Sequence, residues 1–149
     1  MSVRWEELVP GSEPPPLVLG PLTRTDFVRY QGASGDMQPI HHDEPFARAA
    51  GYQAPLAVGM YHAGVLNTWA TNWLGPENVR RTKVRWKSQA WPGDVLECSG
   101  RIAKRYEENG ERRVDLDLVC RRRGDGQQRL PDSRGANDPP RFCCDYDAD

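Results

Sequence analysis

Apolar residues occupy most positions between residues 58 and 74, and this stretch contains no Asp, Glu, Lys or Arg. A segment of this length that is apolar on most sides is typical of a helix enclosed by other elements rather than lying on the surface. The apolar positions are Val58, Met60, Tyr61, Ala63, Val65, Leu66, Trp69, Ala70, Trp73 and Leu74. The pattern therefore predicts one long, central helix.

The second half of the chain changes to a two-residue period. Apolar and polar residues alternate at 82–86, 96–102 and 114–120, which predicts three antiparallel strands. Asn109-Gly110 is a strong signal for a two-residue hairpin. A second turn is predicted at Trp91-Pro92-Gly93-Asp94.

Shorter elements precede the long helix. Residues 17–19 predict a first strand, and a helix through residues 26–30 can be capped by Thr23 or Thr25. A short helix is predicted at 44–50. Helices and one strand thus come first and a meander of strands follows, which predicts an α+β fold with an antiparallel sheet wrapped around the long helix.

The composition narrows the functional class. A chain of 149 residues suits one domain, and 20 Lys+Arg against 21 Asp+Glu give no general attraction to nucleic acid or to an anionic membrane. Arg121-Arg122-Arg123 is interpreted as a solvated strand end, because no aromatic stacking platform accompanies it. No apolar run is long enough to span a membrane and no signal peptide is visible, so a cytoplasmic protein is expected.

The C-terminal residues differ in composition from the rest. Residues 124–149 are polar and rich in Gly, Pro, Asp and Arg, and we expect them to be a disordered tail behind a domain at 1–123. No alternating apolar run follows Val119, so the sheet would lack a strand there. Either a partner chain fills that gap or the fold is poorly stable. Cys98 and Cys120 alternate with apolar residues and are interpreted as small core residues without a disulfide.

Asp36 and His41 are the candidate acid–base residues. They are five positions apart across a turn that Pro39 stiffens. A carboxylate and an imidazole held near one substrate can share proton transfers close to neutral pH. The spacing alone is weakly specific, and the surrounding residues carry more information.

Ser34-Gly35-Asp36-Met37-Gln38-Pro39-Ile40-His41-His42-Asp43, followed by Ala47, Ala50-Gly51 and Gly59-Met60, resembles the hydratase motif of the MaoC-like family. That motif is usually written S-G-D-x-N-P-x-H-x-D and is followed by H-G-M. The likeness covers roughly residues 15–122. Gln38 stands where the family pattern has Asn, and Val58 stands where it has His.

The resemblance implies a single hot-dog fold and the hydration of trans-2-enoyl thioesters to (3R)-hydroxyacyl thioesters, or the reverse dehydration. Asp36 and His41 would activate the water and deliver the proton. Gly59 would bind the thioester oxygen through its backbone N–H at a helix start, where developing negative charge is stabilised. The alternative for Gly59 is close packing at the helix start.

The resemblance also suggests a substrate pocket that includes Gln38, Pro39, Met60 and His62. A hydrogen-bonded core histidine is the alternative for His62. Trp69 and Trp73 are four residues apart and are interpreted as core residues, with a tunnel lining as the alternative.

No redox or metal cofactor is implied, because hydration needs only proton transfer and the substrate itself carries coenzyme A or acyl carrier protein. The spacing of His41, His42, Asp36 and Asp43 fits no common zinc pattern. The expected partner is a second hot-dog chain, in a homodimer or heterodimer whose sheets join. Two alternatives are a non-catalytic subunit of a heterodimeric dehydratase and a hot-dog thioesterase.

Overall fold

A computed structural model describes residues 3–123 and the strand backbone of residues 141–146. The elements follow the predicted order, with helices mainly in the first half of the chain and strands in the second. In chain order they are β1 (Leu17–Leu19), α1 (Arg24–Ser34), α2 (Glu44–Ala49), α3 (Gly59–Leu74), β2 (Val79–Thr82), β3 (Leu96–Glu108), β4 (Glu111–Arg122) and β5 (Arg141–Tyr146). Within this described part, no helix is long and apolar enough to cross a bilayer.

The five strands form one antiparallel sheet in the order β1-β3-β4-β5-β2. Its longest pairing is the β3–β4 hairpin, which closes on Glu108 opposite Glu111. The two loop residues, Asn109 and Gly110, have φ angles of 55° and 81°. Positive φ at both positions matches the right-handed twist of the strands, and it explains the predicted Asn-Gly turn.

Helix α3 lies against the sheet and provides one side of the main core. Trp69, Ala70 and Leu74 pack with the buried residues Ile102 and Leu116 of β3 and β4. The indole Nε1 of Trp69 also donates a hydrogen bond to the carbonyl of Pro15 at 3.0 Å. These contacts agree with the prediction that Trp69 and Trp73 belong to the core, and they define the α+β hot-dog arrangement.

The prediction that α3 is enclosed by other elements holds for one side of the helix in the single chain. The sheet buries one side of the helix, at Ala63, Trp69, Ala70 and Leu74. Met60, on another side, is 50% exposed. One sheet can cover only one face of a helix, so the remaining apolar positions of α3 are left half-buried.

The predicted strand at 82–86 is also wrong in its extent. Strand β2 ends at Thr82, and the following residues leave the sheet to cross the start of α3. The indole Nε1 of Trp86 donates to the carbonyl of Gly59 at 2.7 Å, and the backbone N–H of Ala57 donates to Ala90 at 2.9 Å. These tertiary hydrogen bonds override the local alternation of apolar residues.

The predicted disordered tail is wrong for residues 141–146, which form β5 between β4 and β2. Leu116 pairs with Phe142 on one side and Arg81 with Cys143 on the other. The inner position is therefore filled by this chain, and the sheet extends past the predicted boundary at residue 123. Backbone hydrogen bonds hold an inner strand on both edges, so its sequence need not alternate strongly. The other residues of the predicted tail lie outside the described residues.

The predicted free cysteines lie inside the sheet. Cys98 of β3 and Cys120 of β4 are register partners, and both are free thiols. Cys98 is buried and belongs to the main core cluster, against which Cys120 packs. The prediction of small core residues without a disulfide is confirmed for this pair.

Two capped helix ends hold the loop that carries the candidate site. Helix α1 begins with a capping box in which Thr23 and Asp26 satisfy each other's backbone N–H groups, and it ends at Gly35 with a φ of 76°. Helix α2 begins at Asp43, whose carboxylate accepts from the N–H of Phe46 at 2.9 Å. Residues 35–43 are thus fixed at both ends.

Candidate active site

The loop between α1 and α2 contains a short 3-10 turn, Pro39–His41. Pro39 occupies its first position, where the fixed φ of proline suits a helical turn and its missing N–H is not needed. The N–H groups of His42 and Asp43 both donate to the Pro39 carbonyl, at 3.0 and 2.8 Å. This turn brings the side chain of His41 back toward Asp36.

The imidazole of His41 is fixed by a backbone carbonyl. Its Nδ1 lies 2.8 Å from the carbonyl oxygen of Leu56, and its side chain is 12% exposed. A carbonyl oxygen can only accept, so Nδ1 carries the hydrogen and the neutral ring has a free lone pair on Nε2. That nitrogen is the one directed at Asp36.

The Nε2 atom of His41 and the Oδ2 atom of Asp36 are 3.9 Å apart. This is too long for a direct hydrogen bond. A water oxygen can lie about 2.8 Å from both atoms at once, because two hydrogen bonds of that length and the 3.9 Å separation form a triangle. The pair can therefore hold one water by two acceptors.

A buried glutamine that sequence reasoning missed supports this loop. Gln31 of α1 is 1% exposed. Its amide nitrogen donates to the carbonyls of Asp36 and Gln38, at 2.8 and 3.1 Å, and its amide oxygen accepts from Nδ1 of His42 at 3.1 Å. A polar residue in the middle of an exposed-looking helical segment carries no sequence signal of this role.

A cleft of about 210 Å³ opens beside His41. It lies between the site loop, the start of α3 and the segment that follows β2. Its lining residues are His41, Leu56, Ala57, Gly59, His62, Trp86, Lys87, Ser88 and Gln89. The structure therefore brings the predicted residues His41, Gly59 and His62 to one cavity.

Four other predicted residues lie outside that lining. Asp36 reaches the site through its contact with His41, and its own side chain is 43% exposed. Gln38 is exposed and Pro39 is half-buried within the 3-10 turn. Met60 is one position past Gly59 on α3, so its side chain points about 100° around the helix from the cleft. A role for Gln38, Pro39 and Met60 in the substrate pocket stays a prediction.

Gly59 begins α3 and faces the cleft. Among the described residues no side chain caps this helix. The Tyr61 N–H donates to the Val58 carbonyl at 2.9 Å, and the N–H groups of Gly59 and Met60 belong to the open end of the helix, where intrahelical acceptors are lacking. A Cβ on Gly59 would lie 3.0 Å from Nε1 and 3.3 Å from Cδ1 of Trp86. Close packing against this indole, which sequence reasoning missed, thus also explains the glycine.

For the thioester hydration that the sequence resemblance implies, we expect Gly59→Ala to lower turnover by about 10- to 100-fold. The added methyl must displace the Trp86 indole or rotate the first turn of α3, and small displacements of this kind reduce rates strongly. Gly64→Ala on the same helix is the control, because a Cβ there meets nothing within 4 Å. Steady-state kinetics of both variants test this, and equal rates for the two would contradict it.

His62 lies one turn after Gly59 and lines the same cleft. Its Nδ1 is buried and has no hydrogen-bond partner among the described residues. Burial lowers the pKa of His62 below its ordinary value, which favours the neutral ring. The unpartnered Nδ1 and the position of His62 in the cleft lining favour a pocket residue over a hydrogen-bonded core histidine.

The lowered pKa of His62 gives a pH dependence of stability. As pH falls below about 6.5, the unfolded chain binds a proton at this residue while the folded chain resists it, so the free energy of unfolding decreases. His62→Leu removes this contribution. We expect the variant to lose less stability than the native chain between about pH 7.5 and about pH 5.5 in denaturant titrations. An identical loss in both proteins would show that His62 does not contribute.

Within the described residues, no three His, Cys, Asp or Glu side chains are close enough together to hold a metal ion. His41 is engaged with the Leu56 carbonyl, and His42 with the amide of Gln31. The site is thus built from a carboxylate, an imidazole and a helix start beside a small cleft.

An antiparallel sheet packed on one long helix defines a protein of the hot-dog fold class. A family model described as "MaoC like domain" matches residues 9–118. The chain belongs to the MaoC-like domain family.

Proteins with assigned activities are similar to this chain at low identity. It is 26% identical to the probable enoyl-CoA hydratase 2 of Dictyostelium discoideum over 95 residues. That alignment covers 60% of this chain and 32% of the relative. It is 28% identical to the 3-hydroxybutyryl-CoA dehydratase of Methylorubrum extorquens over 101 residues. That alignment covers 66% of this chain and 63% of the relative. The chain thus spans about a third of the first relative and under two thirds of the second.

Two solved structures share the fold. The R-hydratase PhaJ1 from Pseudomonas aeruginosa superposes with a TM-score of 0.72 at 17% identity, covering 97% of this chain and 83% of that chain. A chain of the ChsH1-ChsH2 complex from Mycobacterium tuberculosis superposes with a TM-score of 0.67 at 20% identity, covering 92% and 94%. These similarities support the hot-dog architecture.

Proposed function

We propose that this chain hydrates trans-2-enoyl thioesters to (3R)-hydroxyacyl thioesters, or catalyses the reverse dehydration, with Asp36 and His41 as the acid–base pair. The observation that carries the proposal is the 3.9 Å gap between Asp36 Oδ2 and His41 Nε2 at the edge of the cleft. Two acceptors at this separation can orient a water and remove its proton.

The start of α3 provides the second part of the proposed mechanism. The thioester carbonyl would accept a hydrogen bond from the Gly59 N–H, next to the positive end of the helix dipole. Donors placed where negative charge develops stabilise the transition state, by about 3 kcal/mol for a single donor. Gly59 and His41 line the same cleft, so one substrate can reach both.

In the hydration direction, the oxygen of the held water would bond to C3 of the enoyl thioester while the pair takes one of its protons. The π electrons of the C2–C3 bond move toward the carbonyl, and the resulting enolate oxygen is stabilised at the start of α3. The pair then returns a proton to C2. The water supplies both the hydroxyl and a proton, so the reaction balances without a redox or metal cofactor.

The similar proteins support this class of reaction. Two relatives are named as an enoyl-CoA hydratase and a 3-hydroxybutyryl-CoA dehydratase, which are the two directions of one chemistry. We therefore propose an acyl-coenzyme A or acyl-carrier-protein thioester as the substrate.

We further propose that the chain pairs with a second hot-dog chain. Helix α3 buries one side in this chain and leaves Met60, in its first turn, 50% exposed. A neighbouring sheet or helix placed there would cover apolar surface that one chain leaves open. The ChsH1-ChsH2 structure is a complex of two differently named chains, which keeps a heterodimer as an alternative to a homodimer.

The non-catalytic alternative has weaker support. It depended on a missing inner strand, and β5 occupies that position in the sheet. The remaining argument is Val58, which is buried where the family pattern has His. An inactive purified chain would indicate a heterodimer in which only the partner chain is catalytic.

Product analysis tests the proposed reaction. Purified chain is incubated with crotonyl-CoA and with a longer trans-2-enoyl-CoA, and the products are separated by chiral chromatography. The expected product is the (3R)-hydroxyacyl-CoA in both cases. Release of the free thiol of coenzyme A would instead indicate a thioesterase, and unchanged substrate would contradict the proposal for this chain.

A further inference from the structure

Gln31 is a polar side chain that the fold buries almost completely, although it belongs to neither the candidate pair nor the cleft lining. It is 1% exposed, on the last turns of α1. Its backbone carbonyl also accepts the N–H of Gly35 at 2.8 Å, which ends the helix. One residue therefore holds both the end of α1 and the loop that follows it.

The hydrogen bonds of Gln31 determine how its amide is oriented. The nitrogen faces two backbone carbonyls, those of Asp36 and Gln38, and carbonyls can only accept. The oxygen therefore faces Nδ1 of His42, which donates to it at 3.1 Å. Both amide hydrogens and one oxygen lone pair are in use, so the side chain has one orientation in this network.

The two carbonyls that Gln31 holds bracket the carboxylate of the candidate pair. One belongs to Asp36 itself and the other to Gln38, just before the 3-10 turn that carries His41. The Gln38 N–H in turn lies 3.3 Å from Asp36 Oδ1. The position of the carboxylate relative to His41 Nε2 thus depends on the distance between these two carbonyls and α1.

We propose that Gln31 is a positioning residue for the Asp36–His41 pair, acting through the hydrogen bonds of its amide nitrogen to the Asp36 and Gln38 carbonyls. This inference rests on the function proposed above. Without the amide, the loop keeps its capped ends at Gly35 and Asp43 but loses its central support. The separation of the pair then varies, and fewer molecules hold a water correctly.

Gln31→Met tests the inference, because methionine has a similar length and shape but cannot donate to the loop. We expect kcat for crotonyl-CoA hydration to fall by about 10- to 100-fold. The KM is expected to change by less than about threefold, because Gln31 is not among the residues that line the cleft. Gln53→Met, the same change at an exposed position, serves as the control.

A second pair of variants separates positioning from a general loss of structure. In a His41→Ala background the pair is already broken, so adding Gln31→Met should reduce kcat by less than about threefold. Circular dichroism identifies variants that keep the fold. Gln31→Glu, which keeps the side-chain length and an oxygen for His42 but removes the donor, is expected to lose kcat as well and replaces Gln31→Met if that variant unfolds.

The outcomes are distinguishable. Native kcat in a folded Gln31→Met or Gln31→Glu variant overturns the inference, and so does an equal loss of kcat in the presence and absence of His41. If the native chain and its His41→Ala variant hydrate crotonyl-CoA at the same rate, the proposed function itself fails. If only the Gln31 variants behave like the native chain, the proposed function stands and the positioning role does not.

Discussion

His41→Ala is expected to lower kcat/KM for crotonyl-CoA by about 10²- to 10⁴-fold, the range typical for removal of a general acid or base. The imidazole is anchored through Nδ1 to the Leu56 carbonyl at 2.8 Å, so Nε2 is the nitrogen available to a water. Alanine removes this acceptor but leaves the Pro39 turn in place. The rate is measured from the loss of enoyl-thioester absorbance.

Asp36→Asn is the companion variant and should show a loss in the same range, because an amide holds the water but cannot take its proton. Asp43→Asn is the matched control on the same loop. Asp43 caps α2 through the N–H of Phe46, and asparagine caps helices about as well as aspartate. A comparable loss of activity in the Asp43 variant would mean that loop charge, and not the pair, determines the rate.

Phe27→Ala is expected to lower the free energy of unfolding by about 3 to 5 kcal/mol, as large aromatic truncations in well-packed cores do. The Phe27 side chain is fully buried on α1, in a cluster with Leu22, Ala57 and Leu96. Its ring also lies edge-on to Tyr61 of α3, with centroids 6.4 Å apart. Alanine leaves a cavity between the helix that carries Gln31 and the start of α3.

Denaturant titration followed by circular dichroism measures this change. Val28→Ala is the control, because the adjacent side chain is 51% exposed and its truncation should cost less than about 0.5 kcal/mol. A Phe27 variant as stable as the Val28 variant would show that α1 is not packed against the body of the protein as the structure describes.

Elements defined by local chemistry were predictable from the sequence. The capping residue Thr23, the short helix after Asp43 and the Asn109-Gly110 hairpin each depend on neighbouring residues, and the structure has all three. Helix α3 was predictable for a related reason, since its apolar residues repeat over sixteen positions. Local hydrogen bonds and periodicity act within a few residues, which makes them visible in one sequence.

Elements that depend on distant partners were missed. Strand β5 is held on both edges by β4 and β2, so its pairing does not require the alternating pattern that sequence reasoning looked for. The segment after Thr82 alternates like a strand but leaves the sheet, because Trp86 bonds to Gly59, which is 27 positions earlier in the chain. Neither contact has a signature in the surrounding residues.

The candidate site divides in the same way. Asp36 and His41 are five residues apart, so the stiff turn between them limits their separation and made their proximity predictable. Gln31 and Trp86 act through contacts formed by folding, and the sequence near them suggested only a helix surface and a strand. His62 was foreseen as a pocket residue, but its unpartnered nitrogen depends on the packing around α3.

The cooperation of Asp36 and His41 on one water is tested most directly by measuring crotonyl-CoA hydration in Asp36→Asn, His41→Ala and the double variant. When two residues act as one catalytic unit, removing both lowers the activity little more than removing either one. We therefore expect each single variant to lose at least about 10²-fold in kcat, and the double variant to fall within about tenfold of the weaker single variant. Single variants with native rates, or losses that multiply in the double variant, would contradict a shared role in catalysis.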